Sequence, residues 1–100
     1  MQNSILRIYF KQVELNCAFQ AQFAFAAPKK LFPHAVDRNR LKRLMRESVR
    51  LQKPIFHQSL QEKNKQLILL LSYHSKEIHG FKEVDEAVTK LLEKVINEPH

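Results

Sequence analysis

The chain has 100 residues, of which 44% are hydrophobic, and a formal net charge of +7. This length supports one small domain, residues 1–100, with a single core and no room for a second. Cys17 is the one cysteine in the sequence, which excludes an intrachain disulfide framework and a four-ligand zinc motif. The sequence has no apolar run of about 18 residues and no secretory leader pattern, so we expect a cytoplasmic protein without membrane contact.

The first predicted element is a strand over residues 5–13, where hydrophobic residues recur with a period of two. Its polar face carries a cation, an aromatic ring and a second cation: Arg7, Tyr9 and Lys11. Such a face can stack on a base and bind the flanking phosphates, as in proteins that bind single strands. Judged from these residues alone, an ordinary solvent-exposed strand face is the commoner interpretation.

A second strand is predicted over residues 18–27, with Phe19, Phe23 and Phe25 on one face. We expect these rings in the core rather than in a binding site, because large aromatic side chains supply much of the buried area of a small domain. The small alanine and glutamine side chains of the other face are candidates for the floor of a groove. The short polar link between the two strands favours an antiparallel hairpin.

Residues 29–53 hold nine lysines and arginines but only two acidic residues, whereas bases and acids balance in the rest of the chain. An amphipathic helix is predicted over residues 35–53, with leucine and methionine on one side and the cations on the other. So much positive charge in a quarter of the chain repels itself unless a polyanion neutralises it, which favours RNA or DNA as the partner.

Lys29 and Lys30 stand just before this helix, in a connection bounded by two prolines. Cations at a helix N-terminus oppose the helix dipole, so their position favours an anion bound where the free backbone N–H groups point. Two other interpretations remain open. The cations can form a solvated face with ion pairs such as Arg43 with Glu47, or, less in keeping with the sequence, the helix can lie on an anionic membrane.

Three further elements are predicted beyond the basic helix. Pro54 should end that helix near Lys53 and begin a short second helical segment over residues 54–60. The aliphatic run of residues 67–71 is typical of a strand buried on both faces, and residues 81–96 show an amphipathic helical period. The order β-β-α-β-α predicts an α+β domain, with a right-handed strand–helix–strand crossover by base rate.

The serines and histidines form no nucleophile elbow and no zinc-binding spacing, so any chemistry would have to come from a partner. A distinctive pattern is found instead in the basic region, where the pair Lys29-Lys30 and a short loop precede AVDRNRLKRLMRE. This pattern resembles the signature of the bacterial ribonuclease P protein subunit, in which a KK pair precedes A-V-x-R-N-R-x-K-R-x-x-R-E. Defined polar residue types at fixed spacing identify a family far more specifically than a generic basic helix does.

The resemblance implies a subunit of an endoribonuclease whose catalytic centre is in RNA. In this family a catalytic RNA with bound Mg²⁺ removes the 5′ leader from precursor tRNA, and the small protein binds both the RNA and the leader. The RNA-binding residues implied are Lys29, Lys30, Arg38, Asn39, Arg40, Lys42, Arg43, Arg46 and Arg50. The face formed by Arg7, Tyr9 and Lys11 would contact the leader, and Glu47 would orient Arg43 or Arg40. The resemblance implies no catalytic residue or metal ligand in the protein and no stable protein partner.

The resemblance also implies a ribosomal protein S5 domain 2-like fold, in which the basic helix lies in an unusual left-handed crossover. The sequence departs from the family in starting almost directly with a strand, without the usual N-terminal helix, and in lacking a glycine before the KK pair. Either the start of the sequence is misassigned or trimmed, or this version binds the leader with less protein, and we expect weaker leader binding and lower stability than in a full-length relative. Two alternatives remain: a noncatalytic RNA-binding module such as a ribosomal-protein-like assembly factor, and a domain that docks an acidic protein.

Overall fold

Five elements follow one another along the chain: β1 (Leu6–Gln12), β2 (Ala21–Ala26), α1 (Ala35–Glu62), β3 (Leu67–Tyr73) and α2 (Phe81–Asn97). The computed structural model describes residues 1–14 and 21–97. The α+β class and the β-β-α-β-α order are confirmed. The start of the predicted second strand, residues 18–20 with Phe19, lies outside the described residues.

β3 is the central strand of the three-stranded sheet, whose order is β1-β3-β2. It pairs antiparallel with β1, where Leu70 lies opposite Tyr9, and parallel with β2, where Leu70 lies beside Ala24. The predicted hairpin is therefore wrong, because β1 and β2 each pair with β3 and not with one another. The link that was expected to turn the chain, residues 15–17, lies outside the described residues.

Both helices pack on one face of the sheet, where they enclose the core. The strands contribute alternate residues to this inner face, among them Leu6, Ile8, Leu67, Leu69, Leu71 and Tyr73. The helices contribute Leu41, Met45, Val49, Phe56, Leu60, Val84, Val88, Leu91 and Val95. The predicted apolar side of the basic helix and the predicted closing helix are confirmed by this packing.

The opposite face of the sheet is partly exposed, which contradicts the expectation that β3 is buried on both faces. Ile68 and Leu70 of β3 are 40% and 36% exposed. Burial alternates along β3, but the sequence did not reveal this alternation because the outward-facing positions are as apolar as the inward-facing ones. The outer face, as this surface is called below, is thus unusually apolar for a surface that neither helix covers.

α1 is a single helix of 28 residues, and Pro54 lies inside it rather than between two helical segments. A proline removes one backbone hydrogen bond and costs about 3 kcal/mol in a helix interior. The helix continues because Phe56 and Leu60, beyond the proline, are 2% and 0% exposed and anchor the last two turns in the core. Burial of two large side chains offsets that cost.

A polar cluster fixes the rotation of α1 against α2. The hydroxyl of Ser48, which is fully buried, donates to Oδ1 of Asp85 on α2 at 2.6 Å. Nε2 of Gln52 donates to Ser48 Oγ at 3.0 Å and to the same carboxylate oxygen at 3.2 Å. Because these bonds hold one side of α1 against α2, the cations on its other side face outward.

Candidate nucleic-acid interface

The outward side of α1, called the basic face below, carries most of the predicted RNA-binding residues. Five of them are exposed: Asn39, Arg40, Arg43, Arg46 and Arg50. Lys42 is half-buried. Since a helix rises 1.5 Å per residue, cations four positions apart are separated by about 6 Å along its axis. The basic face can therefore contact several phosphates at once.

Arg38 ties the loop that carries the two lysines to the first turn of α1. Its Nη1 donates to the carbonyl oxygens of Phe32 and Pro33, at 2.9 Å and 2.8 Å. Lys29 and Lys30 remain exposed in this loop, in front of the helix. Arg38 itself is half-buried, so its guanidinium has a structural role in addition to its predicted contact with RNA.

The same loop is anchored in the core through Phe32. Phe32 is 5% exposed, and its ring packs edge-on against Tyr73 of β3, with the ring centroids 5.6 Å apart. The hydroxyl of Tyr73 donates to the carbonyl oxygen of Glu77 at 2.7 Å and accepts from the backbone N–H of His79 at 3.0 Å. Burial raises the pKa of Tyr73. Tyr73 is thus a common anchor for two loops: the loop before α2 and the loop that carries Lys29 and Lys30, which is called the lysine loop below.

The N-terminus of α1 keeps backbone donors available. His34 occupies the N-cap position with extended backbone and makes no side-chain cap hydrogen bond. The first-turn N–H groups are therefore not satisfied by a cap, and Lys29 and Lys30 lie just before them in the chain. This arrangement agrees with the expectation of an anion at this end of the helix.

Glu47 pairs with Arg50, and the expectation that it orients Arg43 or Arg40 is wrong. The pair is bidentate, with Arg50 Nη2 2.6 Å from Glu47 Oε1 and Arg50 Nε 3.0 Å from Oε2. These hydrogen bonds lower the pKa of Glu47 and raise that of Arg50. Both side chains are exposed, so an RNA phosphate can compete for Arg50.

Arg7, Tyr9 and Lys11 are all exposed along β1, on the outer face of the sheet. Arg7 donates from Nη1 to the Tyr9 hydroxyl at 3.3 Å and from Nε to Gln2 Oε1 at 2.8 Å. Tyr9 is 51% exposed, and its cross-strand neighbour is Leu70. The predicted platform therefore exists as a surface, with an ordered cation beside an accessible ring. The expected alanine and glutamine floor extends it, since Ala24 and Gln22 line a shallow groove with Tyr9 and Lys11.

The two predicted sets of residues, the basic face and the platform on β1, do not form one surface. The basic face belongs to a helix on the inner side of the sheet, whereas the platform is on the outer face. They approach one another around β2, which is an edge strand of this sheet. Between α1 and β2 lies a groove of about 520 Å³, called the edge groove below, which sequence analysis did not predict.

The edge groove is formed by aromatic residues that were expected to lie wholly in the core. Phe23 and Phe25 pack against the core but are only half-buried, and they line the groove opposite Arg46, Arg50 and Lys53. The alternation that places these rings inward was readable from the sequence. Their position at the edge of the sheet was not, because it depends on β3 being inserted between β1 and β2.

Two kinds of site are not found in the described part of the chain. Within residues 1–14 and 21–97, no three or more histidine, cysteine, aspartate or glutamate side chains are grouped so that they could hold a metal ion. Over the same ranges, neither helix combines the length and the apolar composition needed to cross a membrane.

The comparison with known families identifies the family of the chain. The family model described as Ribonuclease P matches residues 1–96. The chain belongs to the ribonuclease P protein family. The resemblance read from the KK pair and the arginine-rich helix is therefore confirmed.

Ribonuclease P relatives match the chain over different lengths. A ribonuclease P protein component of Porphyromonas gingivalis (strain ATCC 33277) is 32% identical over 90 residues, which is 90% of this chain and 66% of the relative. The component of Chlorobaculum tepidum is 48% identical over 50 residues, or 50% of this chain and 32% of the relative. That of Chlorobium phaeobacteroides is 66% identical over 32 residues, 32% of this chain and 22% of the relative. The chain thus spans just under two thirds of the Porphyromonas relative, and no solved structure matches it significantly.

Proposed function

We propose that this chain is the protein subunit of a ribonucleoprotein endoribonuclease, ribonuclease P, and assists a catalytic RNA in removing the 5′ leader from precursor tRNA in the cytoplasm. The observation that carries the proposal is the basic face of α1, held outward by the Ser48–Asp85 contact, in a chain that belongs to the ribonuclease P protein family. The order and spacing of the arginines on that face agree with the family signature.

In this proposal the basic face binds the catalytic RNA. Arg40 and Arg43 are exposed and would each neutralise a phosphate, and Asn39 adds a hydrogen-bonding group beside them. Neutralisation of closely spaced phosphates lowers the repulsion that otherwise opposes docking of substrate on catalytic RNA. The protein would therefore lower the concentration of Mg²⁺ at which the RNA is active.

The outer face of the sheet binds the leader in this proposal. Tyr9 is accessible for stacking on an unpaired base, and Arg7 and Lys11 stand on either side of it for the neighbouring phosphates. Lys29 and Lys30, held at the start of α1 by Arg38, would border the same strand. Mg²⁺ bound mainly by the RNA would supply the activated water for hydrolysis. The protein residues bind and orient, and none of them is assigned a step in the chemistry.

The test is cleavage of a precursor tRNA with a 5′ leader by a bacterial ribonuclease P RNA at low Mg²⁺, with and without this protein. We expect stimulation by the wild-type chain and its loss in Arg40→Ala/Arg43→Ala, whose side chains are exposed and whose removal should not disturb the core. Lys82→Ala/Lys90→Ala, which removes the same charge from α2, is the matched control and should stimulate normally. Tight RNA binding without any stimulation would instead favour the assembly-factor alternative.

We further propose that the fold is of the ribosomal protein S5 domain 2-like type, with the left-handed crossover. The parallel pairing of β2 with β3, joined through α1, supports a crossover connection, and the left hand is what the resemblance to the family implies. An experimental structure of the chain would test its handedness directly, and a right-handed β2–α1–β3 unit would refute it.

A further inference from the structure

The edge groove combines two features that single-stranded nucleic acids recognise. Its β2 side presents the half-buried rings of Phe23 and Phe25, whose centroids are 6.4 Å apart and whose planes differ by 12°. Its α1 side presents Arg46, Arg50 and Lys53, one cation per helical turn. Aromatic surface for bases beside a row of cations for phosphates is the usual composition of a single-strand site.

Arg46 links these two features physically. Its guanidinium carbon lies 5.6 Å from the centroid of the Phe25 ring, in a cation–π contact. This contact holds the planar guanidinium beside a ring that lines the groove. A guanidinium fixed in this way can stack on a base while its outer N–H groups bind a phosphate.

The charge of the groove favours an anionic ligand. None of the described residues that line it is acidic, and the nearest carboxylate in the helix, that of Glu47, is paired with Arg50. A volume of about 520 Å³ is within the range of clefts that hold small ligands or single residues of a polymer. An unpaired nucleotide, with one flat base and its own phosphates, matches both the charge and the shape.

The edge groove is also continuous with the outer face. Gln22 and Phe23 line both this groove and the shallow groove beside Tyr9, so the two meet at β2. A strand lying on Tyr9 and Lys11 can therefore pass over the edge of the sheet at Gln22 and enter the space between Phe25 and Lys53. The path joins the two predicted surfaces that the sheet otherwise separates.

We propose that the edge groove is a second nucleotide-binding site, in which Phe25 and Arg46 stack on one unpaired base while Arg50 and Lys53 bind the flanking phosphates. The occupant is a single strand of RNA, continuous with the strand held on the outer face. This inference rests on the proposed function and extends it, because it makes residues outside the family signature, Phe25 and Lys53, part of the leader-binding surface.

The experiment measures binding of a single-stranded RNA to the whole protein, without catalytic RNA. The RNA is an oligonucleotide with a fluorescent adenine analogue, whose emission is quenched when it stacks, placed in turn at successive positions. Phe25→Leu removes the ring and keeps apolar bulk at the core, and Lys53→Gln removes one exposed charge. Phe81→Leu and Lys82→Gln make the same changes on α2, outside the groove, and serve as controls.

We expect Phe25→Leu to weaken binding about tenfold and to abolish quenching at one position of the analogue, as loss of one base–aromatic stack should. Lys53→Gln should make the salt dependence shallower by about 0.7 in log–log slope, the value for one phosphate contact on a single strand. The two controls should change neither quantity. Thermal unfolding of Phe25→Leu verifies that the variant is folded, and Lys53→Gln tests the site without touching the core.

Two results separate this inference from the proposed function. If Tyr9→Ala weakens binding but Phe25→Leu and Lys53→Gln do not, the edge groove is not a nucleotide site, while leader binding on the outer face stands. If the groove variants lose binding but wild-type protein fails to stimulate cleavage by ribonuclease P RNA, the site is real and the holoenzyme role is wrong. Equal loss of binding to duplex and single-stranded RNA in Lys53→Gln, without quenching at any position, would also refute the stacking site.

Discussion

The Nη1 atom of Arg38 donates a hydrogen bond to the carbonyl oxygen of Phe32 at 2.9 Å, and this bond couples the basic helix to the lysine loop. Phe32 is buried against the core, so its carbonyl is a fixed acceptor. The position of Lys29 and Lys30 in front of α1 therefore depends on a residue of the arginine signature. Arg38 is a positioning residue for those lysines in addition to any contact of its own.

This coupling predicts that Arg38 and the two lysines do not contribute independently to RNA affinity. Arg38→Ala should weaken RNA binding partly by releasing the loop, so that removal of the lysines afterwards costs less. A double-mutant cycle of Arg38→Ala with Lys29→Ala/Lys30→Ala should show a coupling of about 0.5–2 kcal/mol. Arg40→Ala, combined with the same lysine pair, is the control, because Arg40 is exposed and should give nearly additive effects. Additive effects for Arg38 as well would mean that the loop is positioned without it.

The pair formed by Glu47 and Arg50 predicts a variant that binds RNA more tightly. Glu47→Gln removes a negative charge from the basic face and releases the Arg50 guanidinium from its bidentate partner. Affinity for RNA should rise by a factor of about two to five, as expected for exposed charges. The salt dependence should become steeper, since one more cation is available to a phosphate.

Titration of RNA binding against salt, with Glu93→Gln on α2 as the control for net charge, measures this effect. Glu93 is exposed and lies outside the basic face, so its replacement should change affinity much less. Weaker binding by Glu47→Gln than by wild type would show that Glu47 orients Arg50 for RNA instead of competing with RNA for it.

The sequence was sufficient for the parts of the fold that depend on local periodicity. The alternation of β1 predicted which side chains face outward, including Tyr9, and the helical period predicted that Leu41 and Met45 face the core. The order and spacing of the polar residues in α1 were enough to recognise the family. Each of these features is determined by residues that are close together in the chain.

The features that sequence analysis missed depend on contacts between distant segments. The edge groove exists because β3 enters the sheet between β1 and β2, which no turn signal reveals. Pro54 is accommodated because Phe56 and Leu60 are buried by elements far along the chain. The exposure of Leu70 follows from where the helices pack, since its own neighbours in sequence are uniformly aliphatic.

We predict that replacement of Pro54, in the interior of α1, stabilises the protein. Pro54→Ala restores a backbone N–H that can donate within the helix and removes the clash of the ring with the preceding turn. The free energy of unfolding should rise by about 1–3 kcal/mol, after allowance for the greater freedom of the unfolded chain. Chemical denaturation measures the change. Pro33→Ala, in the lysine loop, should give no stabilisation because that proline is outside the helix. An unchanged or lower stability of Pro54→Ala would mean that α1 bears no cost from the proline.

Tyr73 predicts a loss of stability at high pH that can be assigned to one side chain. Tyr9 and Tyr73 are the two tyrosines of the chain, so in Tyr9→Phe the tyrosinate absorbance reports on Tyr73 alone. Burial raises the pKa of Tyr73, so the absorbance step should occur above pH 10, the usual value for tyrosine. Because the folded-state pKa is the higher one, the stabilisation is fully present below about pH 10 and is lost as pH rises through the folded-state pKa.

The matched measurement is the free energy of unfolding of Tyr9→Phe and of Tyr9→Phe/Tyr73→Phe across that pH range. Near neutral pH the double variant should be less stable by about 1–3 kcal/mol, because the Glu77 carbonyl and the His79 N–H lose their partner. The difference between the two proteins should shrink as the pH rises above 10. A tyrosinate step at or below pH 10 would contradict the burial of the hydroxyl, and with it the anchor that joins the lysine loop to the loop before α2.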